Sequence, residues 1–443
     1  MGFPRAVLHV GGAHRIAHRD SELGMASMLR RCSEIASVAA RRSMRTLWRI
    51  GTMKRRPQSI DRAGVVADEL RLALEDLGPT FVKLGQLLAA RSDLASPQMQ
   101  RELSKLRDHA PSIPSADLLA ELERGLGSHA RLLFATLEMA PAACGSMAQV
   151  HRGTLHDGTR VAVKVRRPGV VAEIESDIRL LRLVFRSATF VSSRARAYDP
   201  VALLDEFADL LRAETNFVNE ASSLDVIGRT FANSEAVTIP RVITTLSSEG
   251  VLVMDWIEGV PLSDRQRLAR TNAKQVVLAR TILRAYGVMI FQADRFHADP
   301  HPGNLIAIDG QRLGLIDFGE VGSVEPADRL VLLQVMAAVL SGDGDTLATA
   351  LLSIGRTTRP VEPTEFGPQL SRLLEPVADA HMQDVNLGET LRGLLHLLRQ
   401  NGVVLPSTLA VLIKTIIECE TTIDELDPNL SMRNIVSEFG VLG

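Results

Sequence analysis

The chain has 443 residues, 46% hydrophobic and 23% charged, which excludes collagen-like, coiled-coil and wholly disordered chains and leaves room for two to three domains of about 150 residues. Its 50 basic and 52 acidic residues give a net charge of -2 with only 4% aromatics, so the charge excess and stacking platforms of nucleic-acid binders are missing and no nucleic-acid partner is expected. Cys32, Cys144 and Cys419 form no CxxC pair and no apolar run reaches membrane-spanning length, pointing to a cytoplasmic protein, soluble or peripheral to a membrane, without zinc or disulfides.

From Met1 to Arg56 twelve basic residues face three acidic ones, Asp20, Glu22 and Glu34. Residues 1–60 therefore read as a basic tail, with three alternatives left open: a solvated tail, an amphipathic segment on an anionic membrane surface, or a transit peptide or mis-assigned start. Residues 61–137 carry apolar side chains at helical spacing (Val65, Leu70, Leu72, Leu74, Leu77), broken by Gly78-Pro79 and by Pro111 to Pro114, and predict a helical extension. Residues 138–258 predict an α+β lobe, with strands at Arg160 to Val165 and Val251 to Asp255 and a helical stretch over Val201 to Ser223. Residues 259–443 predict a mainly helical lobe, interrupted by strands at Leu305 to Ile308 and Gly314 to Asp317 around the turn Asp309-Gly310.

The chemistry concentrates in this last lobe, where His297-Ala298-Asp299-Pro300-His301-Pro302-Gly303-Asn304 is followed by Asp317-Phe318-Gly319. An Asp and an Asn five positions apart, then an Asp-Phe-Gly at a strand end, match the kinase patterns HRDxxxxN and DFG. Phosphoryl transfer needs little covalent work from the protein; the acceptor must be oriented and the triphosphate charge clamped. Asp299 is the candidate catalytic residue, and Asn304 and Asp317 supply hard oxygen ligands for Mg²⁺. A transition-metal site at His297 and His301 is not favoured, because no third ligand follows at suitable spacing; both read as structural hydrogen-bonding groups. Upstream, Val161-Ala162-Val163-Lys164 has the VAIK form, and an ammonium ending an apolar run needs a partner. Glu220 is the candidate, with Glu214 competing. The loop Ala143-Cys144-Gly145-Ser146-Met147-Ala148-Gln149 stands where a glycine-rich loop is expected, and its small residues let backbone amides approach phosphates. Cys144 there reads as a redox-sensitive thiol or, more simply, a small filler.

Together these residues resemble the UbiB family of atypical kinases, also called AarF or ADCK-type, over about residues 61 to 430. Lys83-Leu84-Gly85-Gln86 looks like the family's KxGQ signature, with Arg91 and Asp93 following. Ala143 to Gln149 is similar to its alanine-rich loop, Glu214-Thr215-Asn216 stands at its ExD position, and Leu405-Pro406 through Asp427-Pro428 is similar to its C-terminal helices. The resemblance implies an α+β, protein-kinase-like bilobal fold with a helical N-terminal KxGQ extension and extra C-terminal helices. It implies ATP and Mg²⁺ as cofactors and ATP hydrolysis rather than protein phosphorylation. It also implies a small-molecule or lipid-linked substrate, and a role in isoprenoid-quinone synthesis or lipid homeostasis at a membrane or within a quinone-biosynthesis complex. By position Lys83 and Gln86 gate the site, Lys164 holds phosphates with Glu220 as partner, and Ala143 to Gln149 with Glu214 border the nucleotide. Asn216 in place of the ExD aspartate removes a charge, and Cys144-Gly145 interrupts the alanine run; a C-terminal membrane hairpin is not expected. Two other functions stay open: a small-molecule phosphotransferase of the aminoglycoside or choline kinase type, against which KxGQ argues, and a nucleotide-binding scaffold without turnover.

Overall fold

A computed structural model describes residues 13–53, 62–90, 95–106, 111–191, 199–293, 295–324, 326–379 and 387–430. Arg91 and Asp93 lie outside them, as do residues 1–12 and 54–61 of the basic stretch.

The upper lobe is built on an antiparallel sheet, β1 (Phe134–Leu137), β2 (Ala143–Cys144), β3 (Ala148–Leu155), β4 (Arg160–Arg166) and, after β5 (Val237–Thr238), β6 (Val251–Asp255), in the order β1-β3-β4-β6 with β2 on β3. It starts at Phe134, ahead of the boundary expected at 138. Side-chain alternation along β4 explains its near-continuous apolar sequence. Val161, Val163 and Val165 face the helix Ser115–Leu126 through Leu118 and Leu122, while Ala162 packs with Phe217 and Leu252 on the side of the other lobe. Lys164 is paired with Leu252 across β6 and lies on that second side.

The lower lobe forms around the helix Gln275–Phe291, whose Leu278, Ile282, Tyr286 and Met289 are fully buried. Against it lie β7 (Val260–Pro261), β8 (Arg295–His297), the hairpin β9 (Leu305–Ile308) and β10 (Arg312–Leu315), and β11 (Val321–Ser323). β10 also pairs in parallel with β5, so a strand from the upper half of the sequence completes this sheet. β8 pairs with β11 antiparallel, His297 opposite Val321. That ladder brings the segments after β8 and before β11 side by side, and these hold Asp299 and Asp317. Among the described residues five helices follow, the last being Ser407–Leu426.

The N-terminal helices Ala13–Met53, Arg62–Leu77, Pro79–Ala90 and Pro97–Leu103 share a separate core of Val38, Leu74, Phe81, Val82, Leu103 and Leu106. Gly85 lets those side chains close over the helix: a methyl placed on it would lie 2.3 Å from Leu106 Cδ1 and 2.8 Å from Leu74 Cδ1, and both leucines would have to shift. The basic stretch is not a solvated tail over 28–53. Arg31 reaches Asp177, Arg42 reaches Glu69 and Asp76, and Arg49 reaches Asp68 and Glu69. The charge of these three arginines is balanced by carboxylates 19 to 146 residues along the chain. No described helix is long and apolar enough to cross a membrane.

Candidate active site

Lys164 sits between two carboxylates from different elements. Its Nζ lies 2.9 Å from both Glu220 oxygens and 2.8 Å from Asp317 Oδ1, with the Phe217 ring centroid at 5.5 Å. Burial works against the ammonium, but Asp317 and Glu220 outweigh it and raise its pKa well above the ordinary lysine value. The same ammonium pulls Asp317 far below the usual carboxylate range, with a further contribution from Lys83. Burial pushes Glu220 up against the pull of Lys164. This is the buried lysine's partner set, and Glu220 rather than Glu214 holds it.

Asn216 decides that choice. The helical stretch expected over Val201 to Ser223 is two helices, Pro200–Thr215 and Phe217–Thr230, and Asn216 caps the second by accepting a hydrogen bond from the Val218 amide at 3.1 Å. A cap needs only a side-chain oxygen, which an asparagine supplies as well as an aspartate. The break leaves Glu220 in the first turn of the new helix and turns Glu214 towards Lys83, 2.6 Å away. Lys83, Gln86 and Glu214 line a cleft of about 840 Å³ together with Asp299, Lys414 and Glu418.

Asp299 follows β8 and receives the Asn304 amide, whose Nδ2 donates to its Oδ2 at 3.1 Å and to its carbonyl at 3.2 Å. The Ile316 amide donates to the Asn304 carbonyl at 3.0 Å, which ties the Asn304 segment to the residue before Asp317. His297 is fully buried between Tyr286 Oη at 3.1 Å, the Ile316 carbonyl at 3.0 Å and the Phe318 ring; burial lowers its pKa, leaving a neutral ring that braces both segments. Asp317 adopts a left-handed backbone with φ of 59°, a conformation that aspartate tolerates better than most residues. No group of three or more His, Cys, Asp or Glu with metal-site geometry occurs among the described residues. The pair Asn304 and Asp317 offers what Mg²⁺ takes in phosphoryl-transfer sites, one or two hard protein oxygens with phosphate and water completing the shell.

The loop expected to cradle phosphates is a tight turn between β2 and β3, closed by the Gly145 amide on the Ala148 carbonyl at 2.8 Å, while Arg167 Nε donates to the Gly145 carbonyl at 2.8 Å. Ala143 is exposed and Cys144 and Gly145 half-buried, whereas Ser146 and Ala148 are buried. Two residues expected at the nucleotide turn their side chains inward. Met147 is buried in a cluster with Ile174, Phe207 and Leu211, and Gln149 is fully buried, accepting from the Ile113 amide at 2.7 Å and contacting His151 at 3.0 Å.

A polar group on the last helix escaped the sequence reading. Lys414 lies 3.2 Å from Glu320, and one helical turn on, burial pushes the Glu418 carboxyl up to about 7, with its Oε2 buried and without a hydrogen-bond partner among the described residues. The same helix braces the Asp299 segment, Thr415 Oγ1 donating to the Ala298 carbonyl at 3.2 Å. Helical periodicity marks these residues as one face of a buried helix and carries no sign that the face borders a cleft.

A two-lobed α+β fold with a lysine–glutamate pair in the upper lobe and an Asp…Asn…Asp set in the lower defines a protein-kinase-like protein. Residues 105–351 match the ABC1 atypical kinase-like domain and residues 370–431 the UbiB helical domain, and the chain belongs to this atypical kinase-like family. Among solved structures it is similar to the complex of Rv3197 with erythromycin from Mycobacterium tuberculosis, at 21% identity and a TM-score of 0.58, covering 84% of this chain and 95% of that one. A Stt7 homologue from Micromonas algae soaked with ATP matches at 17% identity and a TM-score of 0.24, over 50% of this chain and 55% of that one, too distant to bear on this site.

Proposed function

We propose that this protein binds Mg-ATP between its lobes and hydrolyses it, or transfers its phosphoryl group to a small or lipid-linked acceptor, rather than phosphorylating proteins. The observation that carries this reading is the Lys164 ammonium held between Glu220 and Asp317, a charged donor fixed where a nucleotide's phosphates would lie. Lys164 would pair with those phosphates, Asn304 and Asp317 would hold Mg²⁺, and Asp299 would orient the attacking hydroxyl or water. Magnesium, when bound, neutralises the phosphate charge. The Pro79–Ala90 helix brings Lys83 and Gln86 into the cleft, which favours a small acceptor over a docked polypeptide.

The membrane-surface part of the reading draws on the Ala13–Met53 helix, where Met44, Leu47 and Trp48 are 68%, 72% and 69% exposed among arginines. Apolar and basic side chains on one surface helix favour an anionic lipid interface. A role in isoprenoid-quinone or lipid metabolism, at the cytoplasmic surface of a membrane, follows from the family resemblance.

Phosphate release from Mg-ATP tests the proposal. Asp299→Asn should lower the rate by about a hundredfold or more, since a positioned base alone contributes that much, and Asp317→Asn should lower it through loss of a charged oxygen ligand for Mg²⁺. Equal rates in wild type and both variants would refute it.

A further inference from the structure

The ring of His301 is placed with unusual care for a residue on an exposed loop. Its Nδ1 accepts the Gly303 amide at 2.9 Å, and its Nε2 lies 3.6 Å from Asp299 Oδ2. The ring lies against the Gly303 Cα: a methyl there would stand 2.5 Å from Cε1 and 2.8 Å from Nδ1. Gly303 does not have a positive φ, so its lack of a side chain makes room for this ring rather than for the backbone.

The bond from Gly303 fixes the chemistry of the ring. With the Nδ1 lone pair engaged by an N–H, the proton of the neutral imidazole must sit on Nε2, the atom that faces Asp299. Asp299 Oδ2 is already bound by Asn304 Nδ2 at 3.1 Å. A small rotation of the half-exposed ring would bring a second donor onto that oxygen, and such contacts in unliganded sites commonly shorten when substrate binds.

We propose that His301 is a positioning residue for Asp299: held as the Nε2–H tautomer by Gly303, it donates to Oδ2 beside Asn304 and leaves Oδ1 as the oxygen presented to the acceptor. This rests on the phosphoryl-transfer reading above. A histidine that only closed the loop through Nδ1 would have no need to aim Nε2 at Asp299 Oδ2.

Long-range ¹H–¹⁵N spectra of the full-length protein labelled at histidine nitrogen read the tautomer directly, with the His301 signals assigned by their loss in His301→Ala. The proposal expects Nε2–H. In Mg-ATP turnover, His301→Ala should lower kcat about tenfold to a hundredfold with KM for ATP unchanged. His301→Gln, whose amide nitrogen can stand in for Nε2, should recover part of the loss. Gly303→Ala should reproduce the His301→Ala loss, and the double variant should lose no more than either alone. An Nδ1–H tautomer, or an unchanged kcat in His301→Ala, would overturn the proposal. Should the wild type release no phosphate, the transfer reading falls, while the contact is judged by the same spectra: an Nε2–H signal that shifts in Asp299→Asn upholds it, and an Nδ1–H tautomer or an Nε2–H signal unmoved by Asp299→Asn overturns it.

Discussion

Replacing Arg31 by alanine would strand a carboxylate out of reach of water. The Asp177 side chain is fully buried, and Arg31 engages it with two guanidinium nitrogens at 2.7 and 2.9 Å while donating to the Leu77 carbonyl at 2.6 Å. That carbonyl ends the Arg62–Leu77 helix just before Gly78, so one arginine ties the first helix, the upper-lobe helix Val170–Val191 and the start of the Lys83 helix together. Removing one partner of a buried ion pair costs about 3–5 kcal/mol. At about 1.4 kcal/mol per tenfold, local opening of the first helix should become at least about a hundredfold more frequent. Hydrogen exchange of peptides within 28–53 and 79–90 measures it. Arg31→Ala should speed exchange in both, and the Arg31→Ala/Asp177→Asn double variant should exchange more slowly than Arg31→Ala, because no orphan charge remains. Exchange in Arg31→Ala within about threefold of wild type, well short of the factor that 3 kcal/mol implies, would refute the reasoning.

Two further predictions concern the cleft and its loop. The folded-state pKa of Glu418, about 7, lies above its ordinary value of 4.5, so the native state holds this proton longer and loses stability as pH rises between those values, by at most about 3 kcal/mol. Glu418→Gln should therefore raise the melting temperature relative to wild type at pH 8 and leave it nearly unchanged at pH 4; an equal shift at both would contradict the assignment. At Gly145 a methyl group would meet the Ala148 carbonyl at 3.4 Å, an ordinary contact, and the backbone there does not have a positive φ. Gly145→Ala should thus fold normally and alter ATP against GTP preference or turnover, and unchanged nucleotide kinetics would remove Gly145 from the phosphate loop.

Legibility in the sequence tracked how local the determining interactions are. Lys164, Asp299, Asn304 and Asp317 stand in short motifs whose spacing reflects one strand end and two adjoining loops, and the structure joins Lys164 to Asp317 and Asn304 to Asp299. The partner of Lys164 was harder, because Glu214 and Glu220 differ only in which side of a helix break they occupy, and Asn216 reads as a damaged acidic motif until its capping bond is seen. The basic N-terminal stretch looked unpaired because its partners Asp68, Glu69, Asp76 and Asp177 lie 19 to 146 residues away. Met147 and Gln149 read as nucleotide-loop residues by position, whereas contacts far along the chain bury both, Met147 against Ile174, Phe207 and Leu211 and Gln149 against the Ile113 amide and His151. His301 carried one usable signal, the glycine two positions on, whose significance appears only when the ring is seen lying against it.

The central claim is a Mg²⁺-dependent nucleotide site at Lys164, Asn304 and Asp317, and thermal unfolding with about 1 mM ATP, with and without Mg²⁺, tests it most directly. A ligand at a hundred times its dissociation constant adds roughly 2.7 kcal/mol, enough to raise the melting temperature by a measurable margin. The account predicts a rise with Mg-ATP in the wild type and loss of its Mg²⁺-dependent part in Asp317→Asn. No Mg²⁺-dependent rise in the wild type, or the same rise in Asp317→Asn, would contradict it.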